Sequence, residues 1–349
     1  MRLSVLDQSP IPEGSTGADA LHNTLDLAML ADELGYHRYW VAEHHGGPML
    51  ASASPEVLIG PIASATQSIR VGSGGVMLPH YSPFKVAETF TILAALYPGR
   101  IDLGLGRAAG TDPLTTFALQ RDRRQAAPDD FPQQLAELLA YFEDSLPDDH
   151  PFARLATALP GRPAVPGVWL LGSSPQSAIW AGQLGLPYAF ADFINPGGAD
   201  IARSYRERFA AEWELTAPRT AVAAWVLCAP SDEEAAYLAS SSRMTFTLLR
   251  RGRLIEVPPP EAAIEFLRRE GKLDPAPGQQ HVPGRRGVIG SPETVRAELE
   301  QLASEYGAEE VIVVTITYDH AARRRSYELL AEAFGLEPSS SRLAASTNP

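Results

Sequence analysis

The chain has 349 residues, 45% of them hydrophobic and 20% charged, enough for two average domains or one large α/β barrel with a full core. With 29 basic against 42 acidic residues, its formal charge is −13, which argues against a general nucleic-acid or membrane-surface binder. The single cysteine, Cys228, excludes an internal disulfide framework and any multi-cysteine metal site; lying in the apolar run TAVAAWVLC, it reads as a buried structural thiol.

The opening MRLSVLDQSP is too short and too polar for a signal peptide, and no apolar run approaches a membrane span, so a cytoplasmic protein is expected. LSVLD (3–7) reads as a first strand. Leu21, Thr24, Leu25, Ala28, Ala31 and Leu34 then recur at helical spacing, and Gly35 follows as a C′ residue. HRYWVA (37–42), RVGSGGV (70–76) and IDLGL (101–105) are the next strands. Ser54-Pro55 and Ser82-Pro83 read as N-caps followed by a first-position proline. An irregular stretch, 107–128, precedes VWLL (168–171), YAFA (188–191) and TAVAAWVLC (220–228). Ser231 and Glu234 form a capping-box pattern. A second irregular stretch, about 251–290, contains VPPPE, DPAPGQQ and VPGRRG and reads as an exposed excursion or lid after strand seven. EVIVVTI (310–316) is the eighth strand, a helix covers about 320–334, and the tail 337–349 reads as disordered. Eight strands, each followed by helix, predict an α/β fold, a (β/α)8 TIM barrel forming one domain over 1–336. A doubly wound open sheet is the runner-up.

A barrel gathers the C-terminal strand ends on one rim, which would bring DQSP, EHHGG, GGVMLPHYSP, GLGRAAG and LGSSPQSA together. In LGSSPQSA a strand ends at Gly172, turns through small residues and enters a helix near Pro175. The free N–H groups of that first turn, with the Ser173, Ser174 and Ser177 hydroxyls, suit a phosphate; an ordinary serine cap is the alternative, and both stay open. Arg107, just past the fourth strand, either reaches the same anion or lies in a solvated loop. Gly72, Gly74 and Gly75 point to close approach of a ligand to the third strand, or to a strand end entering a loop. His44, His45, Glu43 and His80 are the candidate metal ligands, yet adjacent residues of an extended chain face opposite ways and no HExxH occurs, so no metal is expected. Catalytic and structural roles for the histidines both stay open. GLGRAAG is a poor dinucleotide fingerprint: it follows the fourth strand, holds Arg107 where a small residue belongs, and lacks the acidic ribose partner, offering only Asp122 in a basic patch. Neither a nucleophile elbow nor a P-loop is present.

Taken in order, DQSP, YWVAEHH, PEVLIG, VGSGGVMLPHYSPFKVAE, YPGRIDLGLGR and VWLLGSSPQSA resemble the bacterial luciferase-like flavin-dependent monooxygenases, in their non-bioluminescent branch, over about residues 3–334. The resemblance implies reduced FMN at the C-terminal mouth of the barrel. Its phosphate would lie at Ser173, Ser174 and Ser177, joined by Arg107, and Leu6, Val76 and Gly172 would border the cofactor. A non-prolyl cis peptide under the flavin ring aligns with Gly74-Gly75. The acid/base role falls to His44, with His45 beside it. O2 would add to the flavin as a C4a-peroxyflavin in a dry pocket walled by Leu6, Val76, Met77 and Phe190, and one oxygen atom would pass to a small organic substrate. A homodimer through 56–66 and 83–96 is implied, and the lack of an NAD(P)H fingerprint points to a separate NAD(P)H:flavin reductase. The 251–290 segment does not look like the luciferase mobile loop, so light emission is not implied. The alternatives are an F420-dependent hydride-transfer enzyme on the same barrel, with Arg285 and Arg286 along an exit groove for its anionic tail, and a flavin-binding protein without turnover.

Overall fold

Eight parallel strands close into a ring in the computed structural model of the protein, which describes residues 1–338 apart from 108–111, 121, 126–128, 212–214 and 273–286. The ring runs β1 (Arg2–Asp7), β2 (Arg38–Val41), β3 (Arg70–Met77), β4 (Ile101–Gly106), β5 (Gly167–Gly172), β6 (Tyr188–Ala191), β7 (Thr220–Cys228) and, after a further strand β8 (Gly287–Gly290), β9 (Glu310–Val314). Closure is made by β9, which pairs with β7 on one side and with β1 on the other. Strand β8 pairs only with the far end of β7, from Trp225↔Gly287 to Cys228↔Gly290, and stands outside the ring. The fold is therefore the expected TIM barrel, with one strand the sequence reading had not separated from the 251–290 stretch.

Among the described residues twelve helices cover it: α1 (Gly17–Leu34), α2 (Pro55–Ala65), α3 (Pro83–Leu96), α4 (Pro113–Leu119), α5 (Phe131–Glu143), α6 (Ala153–Ala156), α7 (Pro175–Gln183), α8 (Ala199–Glu207), α9 (Asp232–Leu249), α10 (Pro260–Arg269), α11 (Pro292–Tyr306) and α12 (His320–Phe334). Their ends follow the local chemistry. Thr16 and Asp19 make a capping box before α1, and Gly35 ends that helix at φ 86°. Prolines open α2 and α3 at the first position, where a missing N–H costs nothing; Ser54 and Ser82 stand at the N-caps but make no side-chain cap bond. Ser231 accepts from Glu234 N–H at 3.2 Å. Two expectations of irregular chain are corrected. The 107–128 stretch holds α4, capped by Asp112, and the 251–290 stretch holds α10 and β8. Val257, fully buried, is stitched to the barrel by its N–H to Ile11 O at 2.9 Å and by Glu13 N–H to its own carbonyl at 2.8 Å. Arg285 and Arg286, and the tail from 339, lie outside the described residues.

Along each strand, alternate side chains fill the barrel and face the helices. Leu6, Trp40, Trp169, Ala189, Ala221, Ala223 and Ile312 belong to the inner cluster; Val5, Tyr39, Leu103, Tyr188, Val222 and Val311 belong to the shell beneath the helices. Cys228 is buried in that shell, its N–H bonded to Ser326 Oγ at 2.9 Å, and burial pushes its thiol up to about 12. At the N-terminal end of the barrel the filling is ionic. Arg38, 1% exposed, donates to Asp102 and Glu310 at 2.5 Å each, and Ser4 Oγ donates to Glu310 at 2.6 Å. Arg70 reaches Asp102 at 2.5 Å, Trp40 Nε1 donates to it at 3.1 Å, and the Arg38 guanidinium lies 4.6 Å from the centre of the Trp169 ring. Burial works against the Asp102 charge, yet Arg38 and Arg70 hold its carboxyl below the ordinary value. Outside the ring, Asp7 accepts from Tyr39 OH at 2.5 Å and from Arg323 of α12 at 2.6 Å, pinning the last helix to the first two strands.

Asp102→Ala would leave Arg38 and Arg70 facing the barrel interior with half their compensation gone. The expected loss is about 3–5 kcal/mol, read as a lower urea midpoint at unchanged slope; a loss below about 1 kcal/mol would show that the guanidiniums find water instead.

Candidate active site at the barrel mouth

A cavity of about 250 Å³ opens at the C-terminal ends of β3 to β6. Of the cofactor residues expected from sequence, Leu6, Gly74, Gly75, Arg107, Gly172, Ser173, Ser174 and Ser177 all line it. The rest of its wall is mainly apolar and aromatic, including Trp40, Phe131, Trp180, Phe193 and Ile194, which the sequence reading did not pick out. Trp40 was findable, since it is two residues from inward-facing Arg38. Phe131 and Trp180 come from helices α5 and α7 and reach the mouth only through tertiary packing.

The glycines of β3 have separate reasons. A side chain at Gly72 would overlap Asp102, so this glycine makes room for the ionic floor rather than for a ligand. A Cβ on Gly74 would stand 2.5 Å from Leu6 Cδ1, and one on Gly75 would stand 2.6 Å from Gly104 O. Both belong to the cavity wall, and the peptide between them is cis. Here the pairing of β3 with β4 slips between Gly74 and Val76. The slip corrects one expectation: Val76, 2% exposed, turns its side chain to the outer shell while Met77 faces the cavity. Phe190 is corrected for a simpler reason. Its neighbours Ala189 and Ala191 point inward, so Phe190 points outward, 5.3 Å from Tyr306 ring to ring.

The turn from β5 into α7 lines the same cavity. Ser174 is its N-cap and accepts from Ser177 N–H at 3.4 Å. Ser177 Oγ is 2.8 Å from Ser174 O and 2.9 Å from Tyr188 OH, so this hydroxyl is committed to the turn itself. Asn195 Nδ2 donates to Ser173 O at 2.8 Å and steadies the loop from the β6 side. Arg107 is exposed, its guanidinium 5.6 Å from the Trp180 ring of α7. A small-residue turn, the positive end of a nine-residue helix and a neighbouring guanidinium fit a phosphate group. The glycine-floored, apolar remainder fits a flat aromatic ring. The residues present thus fit a phosphorylated flavin.

Neither histidine of EHHGG is part of the cavity wall. His45 Nε2 donates to Glu43 Oε1 at 2.8 Å. Glu43, fully buried, also accepts from Tyr81 OH at 3.1 Å and, through its other oxygen, from Met77 N–H at 2.9 Å. Glu43 therefore ties the second loop to the end of β3, a role its place beside two histidines had concealed. His44 Nδ1 is enclosed and has no hydrogen-bond partner among the described residues. Burial, and then neighbouring His45, pulls the His44 imidazole down to about 4, so it is neutral near pH 7. Among the described residues no cluster of three histidine, cysteine, aspartate or glutamate side chains could hold a metal, and no helix is long and apolar enough to cross a membrane.

Comparison with known proteins extends these observations. The family described as luciferase-like monooxygenase matches residues 1–310. The uncharacterized protein YwcH of Bacillus subtilis (strain 168) is 46% identical over 334 residues, covering 95% of this chain and 98% of its own. The N-acetyl-S-alkylcysteine monooxygenase of the same organism is 40% identical over 338 residues, 95% of this chain and 98% of its own. Among solved structures, apo-MsnO8 superposes with a TM-score of 0.86 at 42% identity, covering 97% of this chain and 99% of that one. More distant neighbours share the fold: the oxygenating constituent of 3,6-diketocamphane monooxygenase from Pseudomonas putida, in complex with FMN (TM-score 0.70, 20% identity, 97% and 99% covered), and an F420-dependent secondary alcohol dehydrogenase (TM-score 0.66, 15% identity, 95% and 98% covered).

A neutral, enclosed His44 has a consequence for stability. Between about 4 and the ordinary value of 6.5 the unfolded chain binds a proton at this position that the folded protein does not, so stability falls as pH drops through that window. Melting temperature should decline from pH 6.5 toward 4, with partly buried His37, also held at about 4, contributing over the same window, and His44→Gln should make that slope shallower without abolishing it; an unchanged slope would place the titration elsewhere.

Proposed function

The chain belongs to the luciferase-like monooxygenase family and is an oxidoreductase of that kind; on that premise we propose that it holds FMN at the barrel mouth and transfers one atom of O2 to a small organic substrate. The observation that carries the reading is a single cavity whose wall holds Gly74 and Gly75 together with Arg107 and the Ser173–Ser174 turn. Bound reduced FMN supplies the two electrons that oxygen activation requires. This chain's own residues do the rest. Arg107, the Ser173 and Ser174 hydroxyls and the first-turn amides of α7 bind the phosphate. Gly74, Gly75, Leu6 and Trp40 form a surface on which the ring can lie, and Phe193 and Ile194 keep water from it. His44, neutral and with an uncommitted Nδ1, stands behind the cavity wall rather than in it, so an acid–base role for it would run through an intervening group; His45, bonded to Glu43, steadies the loop that carries it. No dinucleotide fingerprint is present in the sequence, so the reduced flavin comes from a separate NAD(P)H-dependent reductase.

The cofactor assignment separates cleanly in solution. Flavin fluorescence titration should show Arg107→Gln and Ser174→Ala each weakening FMN by about tenfold or more while leaving riboflavin, which lacks the phosphate, nearly unaffected. Equal losses for both flavins would remove the phosphate from this turn. Binding of F420 in place of FMN, with hydride transfer and no incorporation of label from 18O2 into any product, would replace the oxygenase reading by its F420 alternative.

The same reading includes a homodimer through α2 and α3. Its support is apolar exposure on those helices, with Val57 at 65%, Ile92 at 42% and Leu96 at 64%. Light scattering should give twice the 37.6 kDa chain mass, falling to once that mass in Val57→Asp/Leu96→Asp. A wild-type monomer would end the proposal.

A further inference from the structure

Among the described residues, Met77 is the one sulfur-bearing side chain in the wall of the mouth cavity, and neither the phosphate turn nor the glycine surface gives it a task. Its position is fixed by its neighbours. The slip in pairing between Gly74 and Val76 turns it inward, and Glu43 Oε2 accepts its N–H at 2.9 Å. The thioether then lies along the end of β4. A Cβ placed on Gly106, which belongs to the same wall, would stand 3.1 Å from Met77 Sδ and 3.4 Å from its Cε. Arg107 follows Gly106 directly, so the sulfur stands beside the strand end that carries the phosphate arginine.

The other four of the five methionines are placed differently. Met1 and Met29 are exposed, at 48% and 41%. Met49 is buried in the inner cluster, and Met244 lies partly buried on α9. None of these four lines the cavity. Peroxide oxidises thioethers, and access decides which of them reacts. Oxidant arriving from solvent therefore meets Met1 and Met29 first, whereas oxidant formed within the mouth meets Met77.

An oxidant of that kind arises whenever oxygen is activated and no organic substrate takes it up. O2 then accepts two electrons and two protons and leaves as hydrogen peroxide. We propose that Met77 is a modification site, converted to its sulfoxide by peroxide released in its own cavity, and that the conversion loosens the seat of the cofactor ring. The sulfur lone pair attacks one peroxide oxygen. An S–O bond forms as the O–O bond breaks, and the other oxygen leaves as water. Sulfur loses the two electrons that the peroxide gains, so no further reactant is needed. The new oxygen makes a flexible apolar side chain polar. With Gly106 against the thioether and the main chain held by Glu43, that oxygen either displaces the wall or projects into the space the ring takes. Turnover without substrate thus lowers the protein's own hold on flavin until a methionine sulfoxide reductase restores the thioether. The proposal rests on the oxygenase reading above and adds the fate of oxygen that finds no substrate.

Peptide mass mapping of the FMN complex tests it. Protein in excess of FMN, with catalytic flavin reductase and NADH, is cycled under 18O2 without organic substrate, and catalase removes the peroxide that escapes. Met77 should gain one 18O about fivefold or more faster than Met29. In unlabelled bulk peroxide without flavin the order should reverse, with Met1 and Met29 leading. Cycled wild type should then bind both FMN and riboflavin about threefold or more weakly, while Met77→Leu, which has no sulfur there, should keep its own starting affinity. The mass readout on wild type stands even if that variant folds poorly. Label entering Met77 no faster than Met29, or unchanged flavin affinity in wild type carrying the sulfoxide, would overturn the proposal. FMN that binds and is reoxidised by O2 beside an unmodified Met77 would overturn it alone. FMN that fails to bind would remove the cofactor reading beneath it, and the proposal with it.

Discussion

A guanidinium sealed inside a barrel dictates much of what surrounds it. Arg38, 1% exposed, cannot remain charged there without carboxylates in direct contact. Those carboxylates come from different places: Asp102 from β4 and Glu310 from β9. Satisfying one side chain of β2 therefore requires strands from three parts of the ring to be present at one height, and an open sheet would not supply all three. Arg70 of β3 and Ser4 of β1 complete the layer. Isolated, such a network is a weak source of stability, because desolvation offsets most of its attraction. Its value lies in specificity, since the pairing is fulfilled in one register of the closed sheet. With strand heights fixed at this end, the positions of the opposite ends follow, and the mouth inherits its geometry from the floor.

The mouth shows how far local sequence reaches. Small-residue turns and glycine pairs at strand ends mark close approach of backbone to a ligand or a loop, so Gly74, Gly75, Gly172, Ser173 and Ser174 could be singled out before the cavity they line was seen, and Arg107 by adjacency along the ring. What sequence could not supply was parity. Counting by twos from Gly72 puts Val76 inside, but the slip in pairing after Gly74 reverses the count and brings Met77 in. Phe190 misled because a strand buried on both faces is apolar throughout, and only its neighbours say which face is which. Glu43 beside two histidines suggested metal or catalysis, whereas its contacts make it a brace between two loops. Strand β8 escaped because four residues bounded by glycines carry almost no periodic signal.

The two ends of the barrel also differ in how they treat charge. At the floor Arg38 and Arg70 are met by carboxylates, Arg38 and Asp102 being almost fully buried. At the mouth the wall is apolar, with its cation, Arg107, at the solvent edge. Such an arrangement suits a ligand that is greasy at one end and anionic at the other. It also leaves the interior between the two ends to Trp40 and Trp169, packed edge to face at 5.4 Å, which separate the buried ionic layer from the apolar mouth.

Cys228 gives the molecule a property unrelated to catalysis. On the oxygenase reading proposed above, stray oxidants would arise close by, and the group that such oxidants attack first is a thiolate. Here the only sulfur of that type in 349 residues is walled in behind β7, with its titration pushed up to about 12. It stays a thiol at any physiological pH and offers no nucleophile to a peroxide. The chain therefore has no cysteine-based fuse, and its oxidative ageing should begin at methionines instead.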